Sequence, residues 1–301
     1  MTDGVKWVVG GILAILVIAS ITIRLLPHKA DSESYIELKR RVQSWWVMVF
    51  IFVGALVIDR RLSVVVFAFI SFLALKEYVS AIPTRRVDRR ALFWAYLSIP
   101  VQYYWAGTGY YGMFIIFIPV YLFLLIPLRL VLAGETKGFL RAAGTLHWGL
   151  MVTVFSLSHG AFLLSLKDGP ALLLYLVVLT QSNDVAQFIS GKSFGKRKIV
   201  PRVSPNKTWG GFIGGVIITS CLAMALAPLL TPLTLGQSAI AGVIIAVGGF
   251  FGDLTVSAVK RDLGIKDMGA TIPGHGGVMD RVDSLTYTAP LFFHLIYYLH
   301  F

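Results

Sequence analysis

Residues 237–283 read Q-S-A-I-A-G-V-I-I-A-V-G-G-F-F-G-D-L-T-V-S-A-V-K-R-D-L-G-I-K-D-M-G-A-T-I-P-G-H-G-G-V-M-D-R-V-D. The first part, up to residue 259, is almost wholly apolar, and about 20 such residues suffice for a helix to cross a bilayer. The remainder is charged and glycine-rich, and another apolar run, 284–301, follows it. A mere connector between two membrane-length runs does not need this composition. The segment therefore indicates a membrane protein that handles polyanions at the membrane surface.

The composition of the whole chain supports this class. Hydrophobic residues make up 56% of the 301 positions and charged residues only 14%, whereas about 25% of the residues in soluble domains are charged. We therefore predict an all-α, polytopic integral membrane protein with about ten transmembrane helices and a polar active site on the cytoplasmic side. The predicted spans are 7–26, 43–58, 62–76, 91–106, 110–128, 145–165, 170–190, 208–230, 237–259 and 284–301.

The net charge of +12 does not indicate nucleic acid, because the basic residues are distributed by side. Ten spans place successive loops alternately on the two sides of the membrane. One side carries most of the 27 lysines and arginines, Lys29 and Arg86 among them, and the other carries only Lys6, Arg60, Arg61 and Lys167. Basic loops stay in the cytoplasm. We therefore expect both termini outside and the membrane to be a bacterial inner membrane. Some of the basic residues can also attract anionic lipid headgroups.

Polar side chains concentrate in the last 120 residues. Asp253, Ser257 and Lys260 follow at i, i+4 and i+7, which places them on one stripe of a helix. Asn183 and Asp184 lie within an apolar run, where ionisable groups usually face a wet cavity or a partner. The loop 191–207 carries six basic residues among glycines and prolines. Its end at Ser204–Lys207 precedes a helix start, where free backbone N–H groups can receive an anion.

These motifs resemble those of a known family. Ser257-x-x-Lys260-Arg261, Lys266-Asp267 and Pro273-x-His275-Gly276-Gly277-x-x-Asp280-Arg281-x-Asp283 are similar to the signature of the phosphatidate cytidylyltransferases, also called CDP-diglyceride synthases. S-P-N-K-T-W at 204–209, S-N-D at 182–184, L-K-R-R-V at 38–42 and K-E-Y at 76–78 are similar too.

The resemblance runs from residue 38 to residue 301. We accordingly divide the chain into an N-terminal extension with one transmembrane helix, 1–37, and a membrane-embedded cytidylyltransferase domain, 38–301, whose catalytic half is 180–301. The extension, and Gly210 where many relatives carry a larger polar residue, leave both a housekeeping enzyme and a paralogue open.

The resemblance implies a reaction in which CTP and phosphatidic acid give CDP-diacylglycerol and pyrophosphate. The attacking phosphate has a second pKa near about 6, so it is largely dianionic at neutral pH and needs no strong general base. The physical demand is to bring two anions together, which takes a divalent cation and Lys or Arg groups. The resemblance also implies Mg²⁺, a monovalent cation such as K⁺ beside it, and a homodimer.

The site residues are assigned by position in these motifs. The catalytic candidates are Lys260, Arg261, Asp280 and Asp283. The candidates for binding substrate phosphates are Ser204, Lys207, Ser257, Lys266, His275, Gly276, Gly277 and Arg281. Asp253 and Asp280 are the candidate Mg²⁺ ligands, because carboxylate oxygens suit that ion. Asn183 and Asp184 are candidates for contacting the nucleotide or a second cation.

Several simpler interpretations stay open. Asp253 could form a buried ion pair with Lys260, and Asp280 and Asp283 could cap the last helix. The loop 191–207 could be only a solvated basic loop, His275 only part of a turn, and Glu77 only a residue at the membrane interface.

Two other functions are also consistent with the sequence. The same chemistry could act on another lipid phosphate, because generic apolar side chains would line either acyl groove. A transporter or flippase could use Asp184 and Asp253 in an ion path. Transporters tend to show matching broken segments in two repeated halves, whereas here the polar groups gather after residue 180, which favours surface chemistry.

Overall fold

The computed structural model describes residues 2–25, 33–85, 88–134 and 136–301, without the side chains of residues 33 and 34. The helices are α1 (Asp3–Leu25), α2 (Glu33–Ile58), α3 (Arg60–Ala81), α4 (Arg89–Thr108), α5 (Tyr111–Ile116), α6 (Phe123–Val131), α7 (Phe139–Leu150), α8 (Leu157–Leu163), α9 (Gly169–Phe194), α10 (Trp209–Leu230), α11 (Leu235–Asp262), α12 (Met279–Val282) and α13 (Leu285–His300). The end of the first predicted span at Leu26, and Lys29 and Arg86 of the basic loops, lie outside the described residues.

The all-α membrane architecture is confirmed. Within the described ranges there are two isolated β-bridges and no β-strand, and eight helical segments are long and apolar enough to cross a membrane. These are Asp3–Leu25, Tyr35–Ile58, Arg60–Ala81, Tyr111–Val131, Phe139–Leu163, Gly169–Phe194, Trp209–Leu230 and Leu235–Asp262. The other two predicted spans also correspond to helices, but α4 is less apolar and α13 has only 16 residues.

Helix α2 begins ten residues before the apolar run that predicts it, so hydropathy marks only the embedded part. Its first turns are polar and carry an ion pair between Arg41 and Glu37 (2.5 Å), four residues apart. Such i,i+4 pairs support a helix outside the membrane. Helix α2 ends at Ile58 and α3 begins at Arg60, so that only Asp59 separates them. This confirms two separate helices here. The domain boundary proposed at residue 37 falls within α2.

Two π-helical turns interrupt the long helices. The turn at Phe117–Leu122, between α5 and α6, contains Pro119, which has no backbone N–H to donate to the preceding turn. The turn at Met151–Ser156, between α7 and α8, contains Thr153, whose hydroxyl donates to the Gly149 carbonyl at 2.7 Å. Hydrophobic periodicity does not reveal these turns.

The polar residues of the second half meet because α9, α10, α11 and α13 pack closely. Glycines allow this approach: a Cβ on Gly211 of α10 would stand 2.7 Å from the Gln187 carbonyl oxygen of α9. A Cβ on Gly252 of α11 would stand 2.6 Å from the carbonyl oxygen of Asp283. Packing also explains why residue 210 is a glycine, because a Cβ there would lie 2.8 Å from the Phe194 carbonyl oxygen.

Candidate active site

A buried ion pair anchors the signature loop, which we define as residues 263–278. Lys260 Nζ donates to Asp280 Oδ1 at 2.8 Å, and the side chains are 11% and 3% exposed. The backbone amides of Met268 and Gly277 both donate to Asp280 Oδ2, at 2.9 and 3.0 Å. Asp280 therefore orients the loop and Lys260 together. The alternative in which Lys260 pairs with Asp253 is wrong, because Lys260 lies two turns further along α11 and faces Asp280.

A second carboxylate, Glu77 of α3, holds the same loop. Glu77 Oε1 accepts from the Thr271 hydroxyl (2.6 Å) and the Val278 amide (2.9 Å), and Oε2 accepts from the Met279 amide (2.8 Å). A Cβ on Gly277 would stand only 2.4 Å from Oε2. Glu77 is buried, so its interpretation as a residue at the membrane interface is wrong. In a β-sheet, backbone carbonyls of a neighbouring strand would accept these amides. Here the carboxylate of Glu77 accepts them instead.

Three other carboxylates lie close enough to one another to interact electrostatically. The Ser284 hydroxyl donates to both oxygens of Asp184, at 3.1 and 3.2 Å. Asp283 precedes Ser284 and contacts Gly252, the neighbour of Asp253. Asp283 is buried, and burial, followed by the negative charges of Asp253 and Asp184, raises the pKa of its carboxyl well above the ordinary value. Asp184, Asp253 and Asp283 thus share one negative field, which we call the carboxylate cluster.

The donor set of the carboxylate cluster suits a hard divalent cation, which binds carboxylate oxygens. No group of three or more His, Cys, Asp or Glu side chains in the described ranges is already arranged around a metal position. A cation would therefore have to draw the carboxylates together. The oxygens of Asp280 are differently placed, since Lys260 and two amides already occupy them. The alternative in which Asp280 caps the last helix is wrong, because the amides that donate to Asp280 belong to Met268 and Gly277 of the signature loop.

Lys207 brings positive charge to the carboxylate cluster. Its Nζ lies 2.6 Å from Asp253 Oδ2, 3.1 Å from Gln187 Oε1 and 5.5 Å from the centre of the Phe250 ring. Ser257 donates to the other oxygen of Asp253 at 3.1 Å, as the stripe along α11 predicts. The charge that balances Asp253 therefore comes from the loop before α10.

A cavity of about 410 Å³ opens beside Lys207, between α9, the start of α10 and the loop that joins them. Its lining residues are Asp184, Gln187, Phe188, Gly191, Lys192, Lys198, Asn206, Lys207, Thr208, Gly211 and Phe212. The amide nitrogen of Gln187 is buried and has no hydrogen-bond partner within the described ranges. Three lysines, an unpaired donor and two aromatic rings can together accommodate a nucleoside polyphosphate. We call this space the lysine-lined cavity.

The remaining predicted residues divide into structural and exposed positions. Asn183 is fully buried and bonds across the helices, accepting from Thr219 (3.2 Å) and donating to the Ala246 carbonyl (3.3 Å). Arg261 donates to the carbonyls of Val203 (3.3 Å) and Ile265 (3.2 Å), so it fastens the α9–α10 loop to α11.

At the start of α10, the Thr208 hydroxyl already accepts the Gly211 amide at 3.1 Å. That N–H is therefore not free for an anion. The Ser204 carbonyl accepts the Lys207 amide at 3.3 Å, which shapes the same turn. Lys266 is exposed at the surface of the signature loop.

His275 and Arg281 lie at the edge of the signature loop that faces α2. The rings of His275 and Trp45 are 6.3 Å apart in an edge-to-face arrangement. Gly276 has φ of 80°, a conformation that favours glycine, and turns the chain back after His275. Burial, followed by the positive charge of Arg281, lowers the pKa of His275 below its ordinary value. His275 Nδ1 and Arg281 Nε are both buried, and neither has a hydrogen-bond partner in the part of the chain that the structure describes.

The sequence does not assign to the site four residues that the structure places there. Glu77 stands in the K-E-Y motif, and only its hydrogen bonds to Thr271, Val278 and Met279, which are 194 to 202 positions away, show its role. Gln187 is one turn from Asn183, but the spacing does not tell which of them faces the cavity. Lys192 and Lys198 are two of six basic residues in the predicted loop 191–207. The structure places Lys192 in the last turn of α9 instead, and both lysines line the cavity.

Known proteins match this chain over most of its length. Residues 39–299 match the model of the cytidylyltransferase family. The uncharacterized protein YnbB of Escherichia coli is 42% identical over 292 residues, which is 95% of this chain and 96% of that protein. The phosphatidate cytidylyltransferase of Haemophilus influenzae is 42% identical over 135 residues, 43% of this chain and 47% of that protein.

The phosphatidate cytidylyltransferase of Bacillus subtilis is 39% identical over 131 residues, 42% of this chain and 48% of that enzyme. The chain therefore matches about half the length of these two named enzymes. The family match confirms the resemblance found in the motifs, and this membrane protein belongs to the cytidylyltransferase family.

Proposed function

We propose that the protein transfers the cytidylyl group of CTP to phosphatidic acid, giving CDP-diacylglycerol and pyrophosphate for phospholipid biosynthesis. The observation that carries the proposal is the carboxylate cluster of Asp184, Asp253 and Asp283 beside the lysine-lined cavity. Carboxylates that converge next to lysines suit a metal–triphosphate complex. The family supports a nucleotidyl transfer, and the relatives named phosphatidate cytidylyltransferase support the acceptor.

In this proposal Asp184, Asp253 and Asp283 would hold Mg²⁺, with a monovalent cation such as K⁺ nearby, and the chemistry supplied would be neutralisation of charge on the triphosphate. Lys192, Lys198 and Lys207 bind phosphate oxygens in the lysine-lined cavity, and Gln187 donates its free N–H there. An oxygen of the lipid phosphate attacks the α-phosphorus of CTP. The bond from that phosphorus to the bridging oxygen breaks, and pyrophosphate leaves with the electron pair. Asp280 acts by holding Lys260 and the signature loop in place.

The setting of the reaction follows from the charge distribution. We propose that the site faces the cytoplasm at a bacterial inner membrane, with both termini outside, because basic loops remain in the cytoplasm. A site on this side would have to take CTP from the cytoplasm directly, since a polyanion does not cross the apolar core of a bilayer. We further propose that the protein acts as a homodimer within membrane lipids, as its family resemblance implies.

One observation supports a second candidate for the lipid that accepts the cytidylyl group. The two relatives named phosphatidate cytidylyltransferase cover only 42–43% of this chain, whereas YnbB covers 95%. Conserved cytidylyl transfer chemistry can therefore be combined with a different lipid-binding part. The second candidate function is cytidylyl transfer to another lipid phosphate, such as a polyprenyl phosphate.

The test is transfer of label from α-³²P-CTP by the purified protein in detergent, with phosphatidate, polyprenyl phosphate or no lipid. We expect a labelled lipid product with phosphatidate and release of pyrophosphate in equal amount. Asp253→Asn should lower the rate by about a hundredfold or more, as loss of one key electrostatic group does. Asp262→Asn, at the exposed end of the same helix, should not.

Each other result has a distinct meaning. Product with polyprenyl phosphate alone would support the second candidate. No labelled product with any lipid, together with ion flux through protein-containing liposomes without nucleotide, would overturn the proposal in favour of a transporter. Equal rates for wild type and Asp253→Asn would show that the carboxylate cluster is not the catalytic centre.

A further inference from the structure

We propose that the phosphate of the acceptor lipid binds in a second anion site, formed by Arg41 of α2 with His275 and Arg281 beside the signature loop. We call it the arginine site. The proposal rests on the proposed function and divides the binding of the two substrates between two places. None of the residues that line the lysine-lined cavity belongs to α2 or to the signature loop, so the two sites are separate.

Contacts between α2 and the signature loop build the arginine site. The Ser44 hydroxyl donates to the Pro273 carbonyl at 2.7 Å. Gly274 comes so close that a Cβ there would stand 3.3 Å from Arg40 Cβ and 3.4 Å from Arg41 Cγ. Arg41 is itself oriented by its ion pair with Glu37. The stem of Arg41 and the tip of the signature loop therefore form one surface.

Two buried polar atoms in this surface have no hydrogen-bond partner among the described residues. These atoms are Arg281 Nε, which is always a donor, and His275 Nδ1, which is a donor when it carries the ring proton. Buried polar groups in proteins are normally paired, so an exception marks a place where another group can bind. A phosphate can accept from both groups when His275 Nδ1 carries a proton, and guanidinium N–H groups form strong charge-assisted bonds to phosphate. Neutral His275 could present either ring nitrogen, and binding of a dianion would favour its protonated, donating form.

The position of Arg281 connects the arginine site to the reaction. Arg281 lies between Asp280, which fixes the signature loop, and Asp283 of the carboxylate cluster. The positive charge of Arg281 acts on both His275 and Asp184, so a phosphate bound by Arg281 would lie near the carboxylate cluster, where the proposed function places the cation and the triphosphate. This is what an in-line attack by one phosphate on another requires.

The surroundings favour a lipid as the source of this phosphate. Past Ser44 and Trp45, α2 presents Val47, Phe50 and Ile51 on its outside, with 58%, 73% and 53% of their surfaces exposed. These side chains continue into the apolar part of the helix, which is a candidate membrane span. An acyl chain can lie along them while its phosphate contacts Arg41. A nucleotide has no group that would use this apolar face.

The test compares the two substrates by kinetics. Arg281→Gln and Arg41→Gln should each raise KM for dioctanoyl phosphatidate by about tenfold, the loss expected for a charge-assisted bond. KM for CTP should change by less than about twofold. Lys198→Gln should show the reverse pattern, because Lys198 lines the lysine-lined cavity. Lys39→Gln, an exposed residue of α2, is the matched control and should change neither. A rise of KM for CTP alone in Arg281→Gln would overturn the proposal.

A binding measurement separates this proposal from the reaction itself. Dioctanoyl phosphatidate, dioctanoyl phosphatidylcholine and inorganic phosphate are titrated into the detergent-purified protein, and the unfolding temperature is recorded without CTP. Only phosphatidate should stabilise the wild type strongly, and Arg281→Gln should lose this effect, while Arg281→Lys keeps part of it.

An inactive wild type that still binds phosphatidate through Arg281 would refute the proposed reaction and keep the arginine site. Equal stabilisation by inorganic phosphate would refute a lipid site. Equal stabilisation of wild type and a folded Arg281→Gln would refute the role of Arg281.

Discussion

The carboxylate of Glu77 accepts a hydrogen bond from the backbone amide of Val278 at 2.9 Å, across 201 positions of the chain. This contact ties the first half of the protein to the signature loop, which also carries the partners of Asp280. Since the loop has no strand to pair its amides, Glu77 and Asp280 supply the acceptors from two sides. The geometry of the candidate active site therefore depends on a residue of α3.

Replacement of Glu77 by Gln should destabilise the protein and impair catalysis. The amide group of Gln places donor hydrogens against the Met279 or Val278 amide, and a buried group without its partner costs about 1–3 kcal/mol. We expect a lower unfolding temperature in detergent and a kcat lowered by about tenfold. KM for CTP should change little, because Glu77 does not line the lysine-lined cavity.

Two variants calibrate that result. Thr271→Val removes only the hydroxyl donor and keeps both amide bonds, so its effect should be smaller. Asp3→Asn changes an acid that is 86% exposed and should leave stability and rate unchanged. If Glu77→Gln unfolded at the wild-type temperature with normal kcat, Glu77 would have no role in positioning the loop.

The sequence predicts the helices better than it predicts the partners of their polar side chains. Membrane-length apolar runs favour helices because a helix satisfies all its backbone hydrogen bonds within one segment, and each of the ten predicted runs is helical over most of its described residues. The i,i+4 spacing also predicts the contact of Ser257 with Asp253, since one helix contains both. Lys260 and Lys207 could not be matched to their carboxylates in this way. Their partners lie on other elements, and only tertiary packing selects them.

Close approach of α11 to Asp283 can be tested with two glycines of the same helix. Gly252→Ala would place a methyl group 2.6 Å from the Asp283 carbonyl oxygen, and overpacking of this kind typically costs about 1–3 kcal/mol. We expect lower stability and a large loss of activity, because the carboxylate cluster must move apart.

Gly236→Ala is the matched control. A Cβ at Gly236 meets no atom of the described residues within 4 Å, and alanine loses less backbone freedom on folding than glycine does. This variant should be as stable as the wild type or slightly more stable, with unchanged turnover. An active Gly252→Ala protein of normal stability would show that α11 and Asp283 are less tightly packed than the structure indicates.

The buried pair of Lys260 and Asp280 should show strong coupling between its partners. Lys260→Met leaves an uncompensated carboxylate, and Asp280→Asn leaves a buried ammonium group, so each change should cost about 3–5 kcal/mol. The double variant removes both charges and should be more stable than the sum of the two losses predicts. Unfolding of all four proteins in the same detergent measures the coupling. Strict additivity would mean that the two side chains do not interact in solution.

Lys207 should compete with a divalent cation for the carboxylate cluster. Its ammonium group lies 2.6 Å from Asp253, and one unit charge at such a distance is worth about 1 kcal/mol even in water. Lys207→Met should therefore bind Mn²⁺ about fivefold or more tightly in the absence of nucleotide, measured by electron paramagnetic resonance of the free ion. The same variant should have a higher KM for CTP, because the cavity loses a phosphate-binding lysine.

Lys196→Met, in the same loop but outside the cavity lining, should change neither value. Weaker Mn²⁺ binding by Lys207→Met would mean that Lys207 organises the carboxylate cluster for the cation instead of competing with it.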